Sequence, residues 1–220
     1  MRSFLVFSAL LLSACSAFTA SWSKAVSTQR RYAFFQPFAT EASPSTKNRD
    51  KKVLDLVEQA RSLGQVGILR SEEERDSLLS LAKSLARNSD KRPARVPLFG
   101  VHKLIYSAAP GGSSGKVGPF VGTVTQEFVD DVTFINAVSL GPLKIALRAE
   151  RQVKSYMTIN VTFRETTVSL FGKKITSKTI QNSGGVWKYL FSGTVTLPNG
   201  KQKLVRIMET PSLFVLEQDL

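Results

Sequence analysis

Apolar residues recur at helical spacing in the stretch that begins at Val53. Val53, Leu56, Ala60 and Leu63 would share one face of a helix. A second helix is signalled by Ser71 followed three residues later by Glu74, which is the pattern of a capping box with acids in the first turn. We therefore predict two helices within residues 53–88.

From Leu98 onward the period of the pattern changes to two. Met157, Ile159, Val161 and Phe163 alternate with polar residues, as they do in a strand with one buried face. Glycine and proline turn signals separate further runs of this kind. We predict short antiparallel strands in a sandwich or barrel over residues 98–220, near 99–107, 120–129, 132–139, 143–150, 157–164, 168–171, 186–195, 202–209 and 213–217.

The first 17 residues carry a different signal. A basic start at Arg2 is followed by an apolar run and then by small residues, which is the arrangement of a secretory signal peptide with cleavage between Ala17 and Phe18. The run is about half of the ~20 residues that a membrane-spanning helix needs. We expect a signal peptide at residues 1–17 and no transmembrane span in the mature chain.

Residues 18–52 are rich in Ser, Thr and Ala, basic and nearly free of acids, which is typical of a transit peptide. The Ala17-Phe18 junction resembles that of the two-part plastid leaders of algae with secondary plastids. The alternative is a secreted protein with a disordered basic linker. We favour the plastid interpretation, with residues 18–52 as a disordered leader and entry through the secretory pathway.

Charge and composition change this picture in two ways. The net charge is +13, but residues 1–52 hold 8 basic and 2 acidic residues, so nearly half of the excess belongs to the leader. The positive charge is therefore weak support for a nucleic-acid partner, and we expect none. A single Cys and a single His in 220 residues exclude a disulfide framework and a Cys/His zinc site.

Four predicted strands place a polar residue on their apolar face. Gln126 shares a face with Phe128, Asn136 shares one with Phe134, and Arg206 lies between Leu204 and Met208; His102 precedes Leu104 and Tyr106 on one side. Buried polar groups need partners, because an unpaired one costs ~1–3 kcal/mol. Either these groups satisfy one another in a structural network, or they are polar contacts for an amphiphilic ligand inside a barrel.

The residues of the folded part resemble a known family, the plastid lipid-associated proteins or fibrillins, over about residues 53–220. The family's Leu-x-Gly-x-Trp-x-Leu-x-Tyr element resembles Leu98, Gly100, Leu104 and Tyr106, with His102 at the usual Trp position. Its Gln and Asn positions resemble Gln126 and Asn136. The stretches at 140–143, at Arg206-Ile207 and at 212–216 also fit.

The resemblance implies a mainly β fold, with an antiparallel lipocalin-like β-barrel (98–220) behind two N-terminal helices. It also implies a non-enzymatic plastid protein, peripheral to thylakoids or plastoglobules, without a cofactor. Its partners would be lipophilic small molecules (lipid, quinone or carotenoid-like) and the surface of a plastid membrane or lipid droplet. We expect the ligand to contact Tyr106, Gln126, Phe128, Phe134, Asn136 and Arg206.

Catalytic motifs are missing from the sequence. The Gly-rich stretch at 110–117 lacks the first Gly and the final Ser/Thr of a phosphate-binding loop, and we interpret it as a mobile hairpin loop. No Gly-x-Ser-x-Gly elbow is present, and Asp130-Asp131 is the only adjacent acidic pair in the predicted barrel. We expect neither catalytic nor metal-binding residues. A lipid-acting enzyme that uses His102, or a basic-surface module that binds protein or nucleic acid, remains as an alternative.

Overall fold

The computed structural model describes residues 44–220. The predicted signal peptide, its cleavage site and the leader as far as residue 43 lie outside the described residues. The described part is mainly β, with two α-helices and eleven strands. The helices are α1 (Pro44–Leu63) and α2 (Glu72–Ser84); the strands are β1 (Gly100–Ser107), β2 (Lys116–Val117), β3 (Phe120–Val121), β4 (Thr123–Phe128), β5 (Thr133–Leu140), β6 (Leu143–Val153), β7 (Thr158–Leu170), β8 (Lys173–Thr179), β9 (Gly184–Thr196), β10 (Gln202–Glu209) and β11 (Leu213–Asp219).

Nine strands form one antiparallel sheet in the order β6-β5-β4-β1-β11-β10-β9-β7-β8. Strands β6 and β7 also pair with each other along most of their length, which closes a ring of hydrogen-bonded strands. Strand β8 pairs with β7 only and lies outside the ring. The predicted antiparallel, mainly β architecture with two helices is therefore confirmed.

The sheet is apolar on two sides because the helices pack on its outer face. In β10, Val205 and Ile207 contribute to a cluster with the apolar faces of α1 and α2, whereas Leu204, Arg206 and Met208 belong to the ring interior. This alternation is what a strand with two buried faces requires. The interior is further closed by the segment after α2, whose Ala94 and Leu98 are buried in the interior cluster.

The capping box that begins α2 is confirmed. The Ser71 hydroxyl accepts a hydrogen bond from the Glu74 amide at 3.2 Å, and the Ser71 amide donates to the Glu74 carboxylate at 3.0 Å. These bonds satisfy two amide donors that the first turn of a helix leaves free.

Helix α1 begins nine residues before Val53, where its start was predicted. Residues 44–52 are helical, and Asp50 is 5% exposed. Its carboxylate accepts hydrogen bonds from the Thr196 amide in β9 at 2.9 Å and from the Arg49 guanidinium at 2.8 Å. The prediction of a disordered leader up to residue 52 is thus wrong for residues 44–52, because their polar side chains dock this turn of helix onto the sheet.

Candidate functional site

A cavity of about 260 Å³ lies within the ring of strands. It is formed by inward-pointing side chains that alternate with outward-pointing ones along each strand. The apolar part of its wall comes from seven strands and includes Leu104, Val124, Val138, Leu147, Phe163, Trp187 and Leu216. The polar part comprises Gln126, Asn136, Thr166 and Ser113.

The Gly-rich stretch at 110–117 forms part of this cavity. Residues Gly111–Ser114 make a short 3-10 turn, and Gly112 and Ser113 line the cavity. The Gln65 side chain donates hydrogen bonds to the carbonyls of Ser114 at 2.9 Å and Gly122 at 2.8 Å. The stretch is therefore a tethered turn at the cavity wall, where a hairpin loop was expected.

Aromatic side chains occupy the rest of the interior in a continuous row. His102 meets Phe128 edge to face with ring centroids 5.3 Å apart, and Phe128, Phe134, Trp187 and Phe214 follow at 5.6, 5.7 and 6.1 Å. Such spacings are those of favourable aromatic pairs. The interior is thus partly filled by rings and partly open, and Trp187 and Phe214 lie at the boundary between the two parts.

Arg206 is the largest fully buried side chain of the interior, with 1% of its surface exposed. Its Nη1 donates to Oε1 of Gln126 at 2.6 Å, and its Nη2 donates to the Tyr189 hydroxyl at 3.1 Å. Gln126 in turn donates from Nε2 to Oδ1 of Asn136 at 2.9 Å. A hydrogen-bonded chain therefore runs from the buried guanidinium to Asn136 at the cavity wall.

No carboxylate pairs with Arg206 among residues 45–220. Its guanidinium carbon lies 4.9 Å from the centre of the Phe128 ring, an arrangement that favours the cation. Burial lowers the pKa of Arg206, and the Tyr189 hydroxyl opposes this effect. Since an arginine does not lose its proton in proteins, the interior holds a positive charge that is balanced by dipoles and aromatic faces alone.

A second buried guanidinium, that of Arg151, also lies near the aromatic ring of Phe128. Arg151 is 7% exposed, its carbon lies 5.7 Å from the Phe128 centroid, and its Nε donates to the Asp131 carbonyl at 2.8 Å. The Arg151 charge also lowers the pKa of Arg206. The part of the interior around Phe128 is consequently electropositive.

His102 is fully buried beside these charges, and neither of its ring nitrogens makes a hydrogen bond. Burial, followed by the Arg206 charge, lowers its pKa to about 3. The imidazole is therefore neutral at physiological pH. It does not line the cavity and acts as an aromatic packing group beside Phe128.

The predicted ligand-binding residues separate into three groups. Gln126 and Asn136 line the cavity. Phe128, Phe134 and Arg206 lie in the same interior but outside the cavity wall, where they hold and surround the two amides. Tyr106 lies elsewhere.

The structure places Tyr106 on the other face of the sheet from the one that its spacing predicted. A bulge in β1 between Leu104 and Tyr106 shifts the register against β11, so that Leu104 faces the interior while Tyr106 joins the cluster beneath the helices. The Tyr106 ring lies against Gly67, where an added Cβ would stand 2.3 Å from it. A single extra residue moved this side chain to the other face of the sheet.

Of the residues that line the cavity, only Gln126 and Asn136 were predicted as ligand contacts; those that the sequence reasoning did not name include Ser113, Thr166, Trp187 and Phe214. Trp187 alternates with Tyr189 inside a predicted strand, and this spacing was a usable signal for an inward position. Ser113 carries no such signal, because its position depends on the tether from Gln65.

Two further features concern the described part of the chain. Over residues 44–220 no group of three or more side chains could hold a metal ion, and Asp130 uses its carboxylate to accept from the amides of Val132 and Thr133. No helix in this part of the chain has the length and apolar character to cross a membrane.

Comparisons with protein-family models, curated proteins and solved structures give no significant match, so the interpretation of the cavity rests on the residues described above.

Proposed function

We propose that the ring of strands is a lipocalin-like barrel and that its cavity binds a lipophilic molecule without catalysing a reaction on it. The observation that carries this proposal is an apolar cavity with one anchored polar group, the Gln126–Asn136 pair. Ligand sites commonly combine an apolar lining with a small number of oriented polar groups. The resemblance to the plastid lipid-associated proteins supports the same function.

The volume of the cavity limits what it can hold. An apolar cavity of about 150 Å³ admits benzene, so about 260 Å³ has room for one substituted ring or a comparable length of chain. A carotenoid-like molecule or a membrane lipid would place only one end inside. The bound part is then a ring or headgroup next to Asn136, and a long tail would extend beyond the cavity.

The β7–β8 hairpin supports the proposed contact with a membrane or lipid droplet. Phe171 at its tip is 78% exposed, and Ile175 is 58% exposed. Lys173 and Lys174 flank this apolar tip and would add about 1 kcal/mol each near an anionic surface. Lysines also protect the edges of sheets from pairing, so the exposed Phe171 carries more of the argument than the lysines do.

The plastid location is proposed from the leader composition. A fluorescent protein fused behind residues 1–52 is expected to accumulate in plastids of an alga with secondary plastids. Secretion of the fusion would contradict this location, and it would favour the alternative of a secreted protein.

Calorimetric titration of the full chain with para-pentylethylbenzene tests the binding function. We expect saturable binding to one site, because the ring and the short alkyl chain fit the cavity. Absence of binding would contradict the proposal and would leave coating of lipid surfaces through the outer face as the remaining mechanism.

A further inference from the structure

We infer that the cavity selects a lipophile that carries a carbonyl oxygen, and that the side-chain amide of Asn136 donates a hydrogen bond to this oxygen. The inference rests on the proposed binding function and names the class of ligand: a ring ketone or quinone rather than a hydrocarbon. It follows from the direction of the hydrogen bonds in the interior.

The direction of these bonds is set by Arg206. A guanidinium donates and never accepts, so the atom of Gln126 that lies 2.6 Å from Nη1 must be its carbonyl oxygen. The other end of the Gln126 amide is therefore NH₂, and it must find an acceptor in Asn136, at 2.9 Å. Arg206 thus orients both amides, which by themselves could be turned either way.

The consequence appears at the cavity wall. The Asn136 carbonyl oxygen faces Gln126, so the Asn136 NH₂ group is the end left for other partners, and among residues 45–220 it makes no hydrogen bond. Asn136 is partly buried, so a ligand that fills the cavity covers this NH₂ group. A covered amide donor without an acceptor is costly, whereas a carbonyl oxygen with one lone pair in use is satisfied. The wall therefore offers a donor of fixed direction beside apolar side chains.

The other polar groups of the wall do not compete with this preference. Ser113 and Thr166 carry hydroxyls that rotate and can either donate or accept. They tolerate a carbonyl and an alcohol equally. The Gln126 amide, which also lines the cavity, has the same polarity, because its carbonyl oxygen accepts from Arg206 and only its NH₂ group can donate. Discrimination between ligands consequently depends on amide donors, of which the Asn136 NH₂ group is the one without a partner.

The experiment compares three ligands with one carbon skeleton: para-pentylacetophenone, which only accepts; the corresponding secondary alcohol, which accepts and donates; and para-pentylethylbenzene, which does neither. We expect the full chain to bind the ketone and the alcohol at least about fivefold more tightly than the hydrocarbon in calorimetric titrations. Equal affinity for all three would overturn the inference and leave the proposed function intact. Binding of none of them would instead contradict the proposed function.

The Gln126→Glu variant tests the orienting role of Arg206. A carboxylate accepts from Arg206 and can only accept from Asn136, so the Asn136 amide must turn and present its carbonyl oxygen to the cavity. The shape is unchanged and Arg206 gains a charged partner, so the variant should fold. We expect it to lose the preference for the ketone over the hydrocarbon and to keep the preference for the alcohol.

The matched control is Thr123→Glu, which adds the same charge at an exposed position of the same strand. It should retain the ketone preference of the unmodified chain. Retention of that preference by Gln126→Glu, or its loss in the control, would overturn the inference. Melting temperatures of both variants are measured alongside, so that a folding defect is recognised.

Discussion

Arg206, Gln126 and Asn136 form one hydrogen-bonded chain inside the ring of strands, and each of them lies on an otherwise apolar strand face. Strict alternation assigns a face to each residue of a regular strand, so their inward direction was predictable. The direction of the Tyr106 side chain was not predictable. Alternation is interrupted by a bulge in β1, and both faces of β1 carry apolar residues there, so the sequence does not show where the interruption lies. The sequence also does not show which polar groups pair with one another, because Arg206 and Gln126 are 80 residues apart.

His102 yields a prediction about pH. It is the single histidine of the chain, so its ring protons can be followed by NMR without assignment. With a pKa of about 3 in the folded protein, its signals should not titrate between pH 5 and 8. A midpoint near the ordinary value of about 6.5 would show that the imidazole is solvated and would contradict the packing described here.

The same shift predicts how stability depends on pH. The folded state holds the imidazole neutral, whereas the unfolded chain protonates it below about pH 6.5, so this contribution to stability is present above pH 6.5 and is lost as the pH falls toward 3. Between pH 6 and 5 the loss approaches about 1.4 kcal/mol per pH unit. The His102→Phe variant should lack this slope in urea unfolding, and equal slopes in both proteins would contradict the assignment.

At the scale of elements, local signals were reliable where they act through neighbouring residues. The capping box placed the start of α2 at Ser71 because its two hydrogen bonds are three residues apart. The start of α1 depends on the hydrogen bond that the Asp50 carboxylate accepts from the Thr196 amide. These residues are 146 positions apart, so no local sequence pattern predicts the contact. Strand β8 was missed for a different reason: all of its residues are exposed, so it has no buried face and no alternation.

The β7–β8 hairpin supplies a prediction in which stability and binding change in opposite directions. Phe171 and Gly172 have φ angles of +50° and +76°, which form a two-residue turn that favours Asn-Gly. The free energy of unfolding of the Phe171→Asn variant should be about 0.5–1 kcal/mol higher than that of the unmodified chain, because Asn tolerates this backbone conformation better than Phe does. Its affinity for vesicles of glycolipid and phosphatidylglycerol should fall about tenfold or more, since a buried Phe contributes ~1.5–3 kcal/mol.

The control for this experiment is Phe99→Asn, just before β1, which removes another exposed aromatic residue, 56% exposed. The neighbouring Gly100 pairs with Phe128, at the opposite end of β4 from Thr123 and the hairpin side of the ring. Flotation of the control with vesicles should match that of the unmodified chain. Unchanged flotation of Phe171→Asn would show that the hairpin tip does not enter the lipid surface.

For the whole molecule, the alternating strands predicted the antiparallel class but not the closure of the ring. Closure depends on pairing of β6 with β7 and on β1 joining β4 and β11, and these registers connect residues up to 114 positions apart, as in Lys103 opposite Glu217. The open cavity is likewise a property of the assembled ring. Whether inward side chains fill the interior or leave space depends on how the row from His102 to Phe214 packs.

We propose that this space, rather than the outer surface of the sheet, binds the lipophile. The measurement that tests it most directly is calorimetric titration of para-pentylethylbenzene into Leu147→Trp, which places an indole in the cavity, and into Arg148→Trp, which places one on the exposed face of the same strand. We predict that Leu147→Trp weakens binding at least about tenfold while it keeps its melting temperature, and that Arg148→Trp binds like the unmodified chain. Equal binding by both variants would contradict the account.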